Sequence, residues 1–210
     1  MNIDTIFPVL ISVIVVAVVL VIALKQSKKA KANLTVLGQK LGLSLETKGR
    51  WFKKHRLVGQ LRGKATEVFA YTTGSGKSQR KWVAIAVQVK GNGGLTFSLK
   101  RRMTLFEFVA RLFRKNEAKT GDMNFDEKWL LTTNQPDFMR AALLPETREK
   151  IMRLSGGGLA SSNYKLALSK VQYSEQSSFS RDKLCTRFEE LAPLVCDLAD
   201  VVEVGAELQK

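Results

Sequence analysis

Trp82-Val83-Ala84-Ile85-Ala86-Val87-Gln88-Val89 sets Val83, Ile85, Val87 and Val89 on one side of an extended chain and Trp82, Ala84 and Ala86 on the other. Successive side chains of a strand point to opposite faces, and both sets here are apolar. The stretch therefore predicts a strand buried on both sides, the centre of a sheet. Working outward, Leu57, Gly59 and Leu61 alternate with Val58, Gln60 and Arg62, and after a turn at Gly63-Lys64 the alternation resumes with Glu67, Phe69 and Tyr71 against Val68, Ala70 and Thr72. That pattern is a hairpin leading into the central strand. On the far side, Gly91-Asn92-Gly93-Gly94 turns the chain into Leu95, Phe97 and Leu99. Four antiparallel strands are the economical reading.

Helical spacing takes over next. Thr104 and Glu107 have the spacing of a capping box, followed by Leu105, Phe108, Val109, Leu112 and Phe113 as one apolar stripe. Lys128 to Thr132 reads as another strand, Pro136 opens a short helix, and Pro145 starts a second one that Gly156-Gly157-Gly158 ends. Tyr164, Leu166 and Leu168 alternate, but Val171 and Tyr173 have changed parity, which places a bulge or tight turn near Ser169-Lys170. A last helix from about Ser180 carries Leu184, Phe188, Leu191, Val195, Leu198 and Val202 on one face, with a kink expected at Pro193.

Before all of this comes Ile6 to Leu24, in which only Pro8 and Ser12 are not hydrophobic and no residue is charged. As a helix it measures about 28 Å, close to a ~30 Å hydrocarbon core, and it reads as a transmembrane helix. No Lys or Arg precedes it, while Lys25, Lys28, Lys29 and Lys31 follow. That flank predicts a retained anchor, a single pass through the bacterial inner membrane, with the N-terminus outside and the soluble domain cytoplasmic. The expected organisation is a short tail over 1–5, the span over 6–24, a basic linker over 25–47 with Leu34, Leu37, Leu41 and Leu45 on an amphipathic helix broken near Gly42, an α+β domain over 48–205 and a tail over 206–210. The fold class is thus α+β: an N-terminal transmembrane helix, then a largely antiparallel β-sheet domain with packing helices and a C-terminal helix.

The order of these features resembles that of bacterial single-pass membrane-anchored proteins with a soluble α+β domain. The residues that carry the resemblance are the span, Leu37-Gly38 to Gly42-Leu43, the glycines of the first hairpin (Gly59, Gly63), and Thr120-Gly121-Asp122-Met123-Asn124-Phe125-Asp126 before the Leu143-Leu144-Pro145 helix break. The resemblance implies architecture and brings no activity, catalytic residue or cofactor. Folding alone accounts for its motif residues: Gly121 as a turn, Asp122 as a cap, Phe125 as core.

The formal charge is +15. It is concentrated between Lys25 and Lys119, which hold 23 Lys and Arg against Glu46, Glu67, Glu107 and Glu117, whereas Thr120 onward is mildly acidic. Such asymmetry predicts a polyanionic partner. The candidate contact residues are Lys48, Arg50, Lys53, Lys54 and Arg56 with Trp51 and Phe52 among them, and a second group of Lys100, Arg101 and Arg102, with Arg111, Arg114 and Lys115. Cations meet headgroup phosphates while an aromatic ring lodges beside them, so the expectation is a membrane-bound scaffold or adaptor whose partners are anionic lipids or a membrane protein. Binding of RNA or DNA by the same charges is the alternative, and an enzyme of envelope or lipid metabolism the least favoured.

No catalytic constellation, cofactor or metal is expected. Thr73-Gly74-Ser75-Gly76-Lys77-Ser78 ends like a phosphate-binding loop, but Tyr71 stands where that motif needs its first glycine and a strand follows it, so the stretch reads as a hairpin turn. Asp122, Asp126 and Glu127 read as caps and solvated surface. Ser161, Ser162 and the lone His55 have no triad spacing. Cys185 and Cys196 lie eleven residues apart on one helix, which places them too far apart to bond, and they read as buried thiols.

Overall fold

The computed structural model describes residues 3–49, 54–102, 117–156 and 162–208; within these, the side chains of 3–10, 12, 48 and 54 lie outside the description. The Thr104–Phe113 stripe and the residues Arg50, Trp51, Phe52 and Lys53 also lie outside it.

Among the described residues nine strands form one antiparallel sheet: β1 (Ser44–Lys48), β2 (Lys54–Leu61), β3 (Lys64–Thr73), β4 (Arg80–Gln88), β5 (Phe97–Arg101), β6 (Glu117–Ala118), β7 (Trp129–Thr133), β8 (Ser162–Ala167) and β9 (Lys170–Gln176). Their order is β1-β2-β3-β4-β9-β8-β5-β7-β6. The helices among the described residues are α1 (Ile3–Leu41), α2 (Met123–Lys128), α3 (Pro136–Ala142), α4 (Pro145–Leu154) and α5 (Asp182–Glu207).

The pairing registers align one row across the whole sheet: Leu45, Leu57, Val68, Ile85, Tyr173, Tyr164, Leu99, Leu131 and Ala118. All but Leu45 are buried. Leu34 and Leu37 of α1, Phe125 of α2, Met139 of α3, Ile151 and Leu154 of α4 and the apolar stripe of α5 join that row in a single core. As its sequence predicts, β4 is central and buried on both sides from Val83 to Val87.

Several expectations need correction. The four strands read from Leu57 to Leu99, β2 to β5, are not contiguous, because β8 and β9 insert between β4 and β5 and so pair with residues far away in the chain. Leu45 belongs to edge strand β1 and not to a helix, since Gly42 at φ +67° ends α1 just before it. The turn before β9 falls at Leu168-Ser169, both at positive φ (50° and 59°), which resolves the parity change as a tight hairpin. Asp126 and Glu127 lie in α2 and not in a strand.

The largest correction concerns Ile6–Leu24. Among the described residues no helix is long and apolar enough to cross a membrane. The transmembrane helix falls with this finding, and so does the single-pass inner-membrane topology built on it, with its outside N-terminus and cytoplasmic domain.

Candidate anionic-surface site

Helix α1 is a single 39-residue element with two different environments. In its C-terminal part, Ala30, Asn33, Leu34, Leu37, Gly38 and Leu41 recur at helical spacing and face the domain. Asn33 Nδ2 donates to Phe179 O and to Asp182 Oδ1, both at 2.9 Å, Lys29 Nζ meets Asp182 Oδ2 at 2.9 Å, and Lys40 Nζ meets Glu189 Oε1 at 2.7 Å. The hydrogen bonds from Lys29 and Asn33 hold the Asp182 carboxyl below its ordinary range. Gly38 is required by contact: a Cβ there would lie 2.8 Å from Leu43 O and 2.9 Å from Leu57 Cδ2.

Upstream of Lys29 the helix leaves the domain. Val13, Ile14, Val15, Val16, Val18, Val19, Leu20, Val21, Ile22 and Leu24 are each between 49% and 62% exposed, on every side of the helix. This apolar stem is followed at once by the exposed Lys25, Lys28, Lys29 and Lys31. Among the described residues only Lys29 of this collar has an ion-pair partner. An exposed apolar surface of this extent, rimmed by cations, marks a contact surface.

The predicted basic groups do not merge into one patch. Arg56 lies on the sheet face away from the core, held by Glu46 at 2.7 Å and by Glu67 at 4.0 Å. Lys48 and Lys54 are paired across the β1–β2 ladder, which places their backbones at the same end of the sheet. Lys100 shares the face of Arg56, but five strand steps separate β2 from β5, about 24 Å. Arg101 points to the core side and donates to Gly156 O, while Arg102 is largely buried against Glu117 at 2.5 Å. Of that second group, Arg111, Arg114 and Lys115 lie outside the described residues, and among the described members only Lys100 is exposed.

Much of the charge asymmetry cancels inside the fold. The acids of α5 are met by bases of the first half: Lys29, Lys40, Arg62 on Asp197, and Lys64 on Asp200 at 3.0 Å and Glu203 at 2.5 Å. Burial alone would lower the Lys64 pKa, yet the hydrogen bonds it donates to Glu203 and Asp200 raise it above the ordinary lysine value.

The remaining candidates resolve into folding roles. Asp122 caps α2 by accepting from Phe125 N at 3.1 Å, and Asp126 accepts from Thr120 N, Thr120 Oγ1 and Gly121 N. Phe125 is fully buried and Gly121 has φ +87°, so the Thr-Gly-Asp stretch is a turn tied by its own carboxylates. Gly76–Ser78 forms a 3-10 turn between β3 and β4. His55 Nδ1 bonds to Thr47 Oγ1 at 2.9 Å. Cys185 and Cys196 are buried and unbonded to each other, with thiol pKa values pushed up to about 11 by burial.

Sequence reasoning missed two features. The face away from the core carries an aromatic cluster, Phe69–Tyr71–Trp82, with Tyr71 and Trp82 stacked at 6.2 Å. At the start of α5 there is a cleft of about 390 Å³ lined by Gly156, Glu175, Gln176, Arg181, Lys183 and Arg187, among others. Its residues come from three separate parts of the chain, so no local spacing reveals it.

Among the described residues no group of three or more His, Cys, Asp or Glu is placed to hold a metal ion. Compared with known proteins, the chain matches no family model, no curated protein and no solved structure.

Proposed function

We propose that this protein is a binding module for anionic lipid surfaces, with the apolar stem of α1 taking up lipid contact and the lysine collar meeting headgroup phosphates. The supporting observation is the all-round exposure of Val13–Leu24 directly before Lys25, Lys28 and Lys31. Covering a Val, Leu or Ile side chain is worth about 1.5–3 kcal/mol, so a run of this length is strongly driven to find an apolar cover. Each collar lysine near an anionic leaflet adds about 1 kcal/mol. A second copy of the chain is a poorer cover in parallel register, because pairing two stems side by side brings two lysine collars together.

The test is co-sedimentation of the full chain with phosphatidylcholine vesicles, with and without phosphatidylglycerol, at low and high salt. Tight binding to the anionic vesicles that weakens with salt is the expected result. An unbound protein at low salt, or stem burial in a salt-insensitive oligomer, overturns the reading.

A second reading, binding of RNA or DNA, has its own observation. The sheet face away from the core carries the half-buried Phe69–Tyr71–Trp82 cluster with exposed Arg80, Lys100 and Lys165, none of which has an ion-pair partner among the described residues. Aromatic platforms beside cations suit single-stranded nucleic acid. An oligonucleotide that displaces the protein from vesicles, with displacement lost in Tyr71→Ala/Trp82→Ala, favours this reading over the first.

A further inference from the structure

The cleft at the start of α5 combines three features that the lipid reading does not use. Its lining holds three cations, Arg181, Lys183 and Arg187, against one carboxylate, Glu175. Glu175 is almost fully buried and accepts from Arg187 and from Tyr173 OH, the latter at 2.5 Å; Tyr173 OH in turn accepts from Gly156 N at 3.1 Å. This network fixes the Arg187 guanidinium at the cleft wall while using only its Nη2 among the described partners. Gly156 keeps the wall open, since a Cβ there would lie 2.8 Å from Glu175 Oε2. Arg181 and Lys183 are exposed and have no ion-pair partner among the described residues.

Position gives the cleft its meaning. Asp182, between Arg181 and Lys183 in the chain, is the residue that Lys29 and Asn33 of α1 hold. Leu24, the last residue of the apolar stem, is five residues from Lys29, about 8 Å along the helix. The cleft therefore lies at the end of the domain from which the stem departs, close to the headgroups of any lipid surface that the stem and its lysine collar contact.

We infer that this cleft is a headgroup site for a phosphate bearing terminal, unesterified oxygens, with Arg187 as a preset fork and Arg181 and Lys183 closing on the outer oxygens. The inference rests on the lipid reading and adds selectivity to it. A guanidinium donates in a planar fork that matches the oxygens of phosphate, and its volume lies in the range of small-molecule sites.

The experiment compares the full chain on phosphatidylcholine vesicles carrying phosphatidic acid with vesicles of matched surface charge carrying phosphatidylserine. About a tenfold preference for phosphatidic acid is expected, the scale of one or two charge-assisted hydrogen bonds. Arg181→Gln/Lys183→Gln, two exposed positions outside the buried network, should abolish the preference. The charge-matched control Lys25→Gln/Lys28→Gln should weaken binding to both vesicles and keep the preference. Equal binding of wild type to both vesicles, or a preference retained by the cleft variant, overturns the headgroup site while leaving the lipid reading intact; no binding to either vesicle overturns the lipid reading itself. Inorganic phosphate separates the sources: a cleft-dependent rise in thermal midpoint with phosphate in solution, together with no vesicle preference, overturns the lipid source.

Discussion

The two halves of α1 are parts of one helix, yet they obey opposite rules. From Ala30 to Leu41 the apolar residues fall at every third or fourth position and only that stripe is buried, with Leu34 and Leu37 at 2% and 0% exposure. From Val13 to Leu24 nearly every position is apolar and every described side is exposed. A stripe specifies one partner surface inside the molecule, whereas an all-round apolar helix has no internal partner large enough to enclose it. The difference teaches that the core of the domain forms without the stem, whose apolar side chains find no cover among the described residues.

The largest effect follows from attacking the stem. Replacing Val15, Val18 and Ile22 by Ser is expected to weaken vesicle binding by roughly a thousandfold or more, from three side chains at about 1.5–3 kcal/mol each, with the thermal midpoint of the domain unchanged. A shared loss of binding and stability would erase the distinction between the halves.

Attacking the docked half should do the reverse. Leu37→Ala removes a fully buried side chain between α1 and the sheet and is expected to cost about 3 kcal/mol in urea unfolding, with vesicle binding of the folded protein retained. Gly38→Ala should cost about 2 kcal/mol by the same assay, because the new methyl group meets the Leu43 carbonyl, which belongs to the backbone and cannot swing aside. A neutral Gly38→Ala would mean that α1 is not seated as tightly as its contacts indicate.

The collar separates charge from packing. Lys28→Gln is expected to reduce binding to anionic vesicles about fivefold and to leave stability within experimental error, since Lys28 has no ion-pair partner among the described residues.

The smallest effect is a pH dependence. Asp182, next to the cleft, has a pKa lowered below 3.8 by its hydrogen bonds from Lys29 and Asn33. A lowered carboxyl pKa adds stability that is present above the unfolded value and lost as pH falls through the folded one. Wild type and Asp182→Asn should therefore differ most at neutral pH and converge below about pH 4, read as thermal midpoints. A gap that persists in acid would show that Asp182 stabilises by packing and not by charge.

Local patterns carried the strands and helices a long way. Alternation identified β2 to β5 and the central burial of β4, and the parity change between Leu168 and Val171 located a hairpin whose two turn residues both take positive φ. Edge strand β1 escaped notice because Leu45 continues the helical spacing of Leu34, Leu37 and Leu41, and β6 because two residues give alternation too little length to register. The charge runs were legible as composition and not as a surface. Arg56, Arg101 and Arg102 each lose their freedom to a partner, and those partners, Glu46, Gly156 and Glu117, are brought to them by sheet pairing or by a distant turn.

What the sequence determined by itself is local: where strands and helices form, where glycine and proline end them, and that α1 carries an apolar run followed by lysines. These depend on neighbours within a few residues, which spacing reveals directly. Only the tertiary structure decided that β8 and β9 insert between β4 and β5, that the acids of α5 cancel much of the first half's charge, and that Gly156, Glu175 and Arg187 meet around a cleft beside the stem. Those outcomes depend on which distant surfaces bury each other, and no local period encodes that choice.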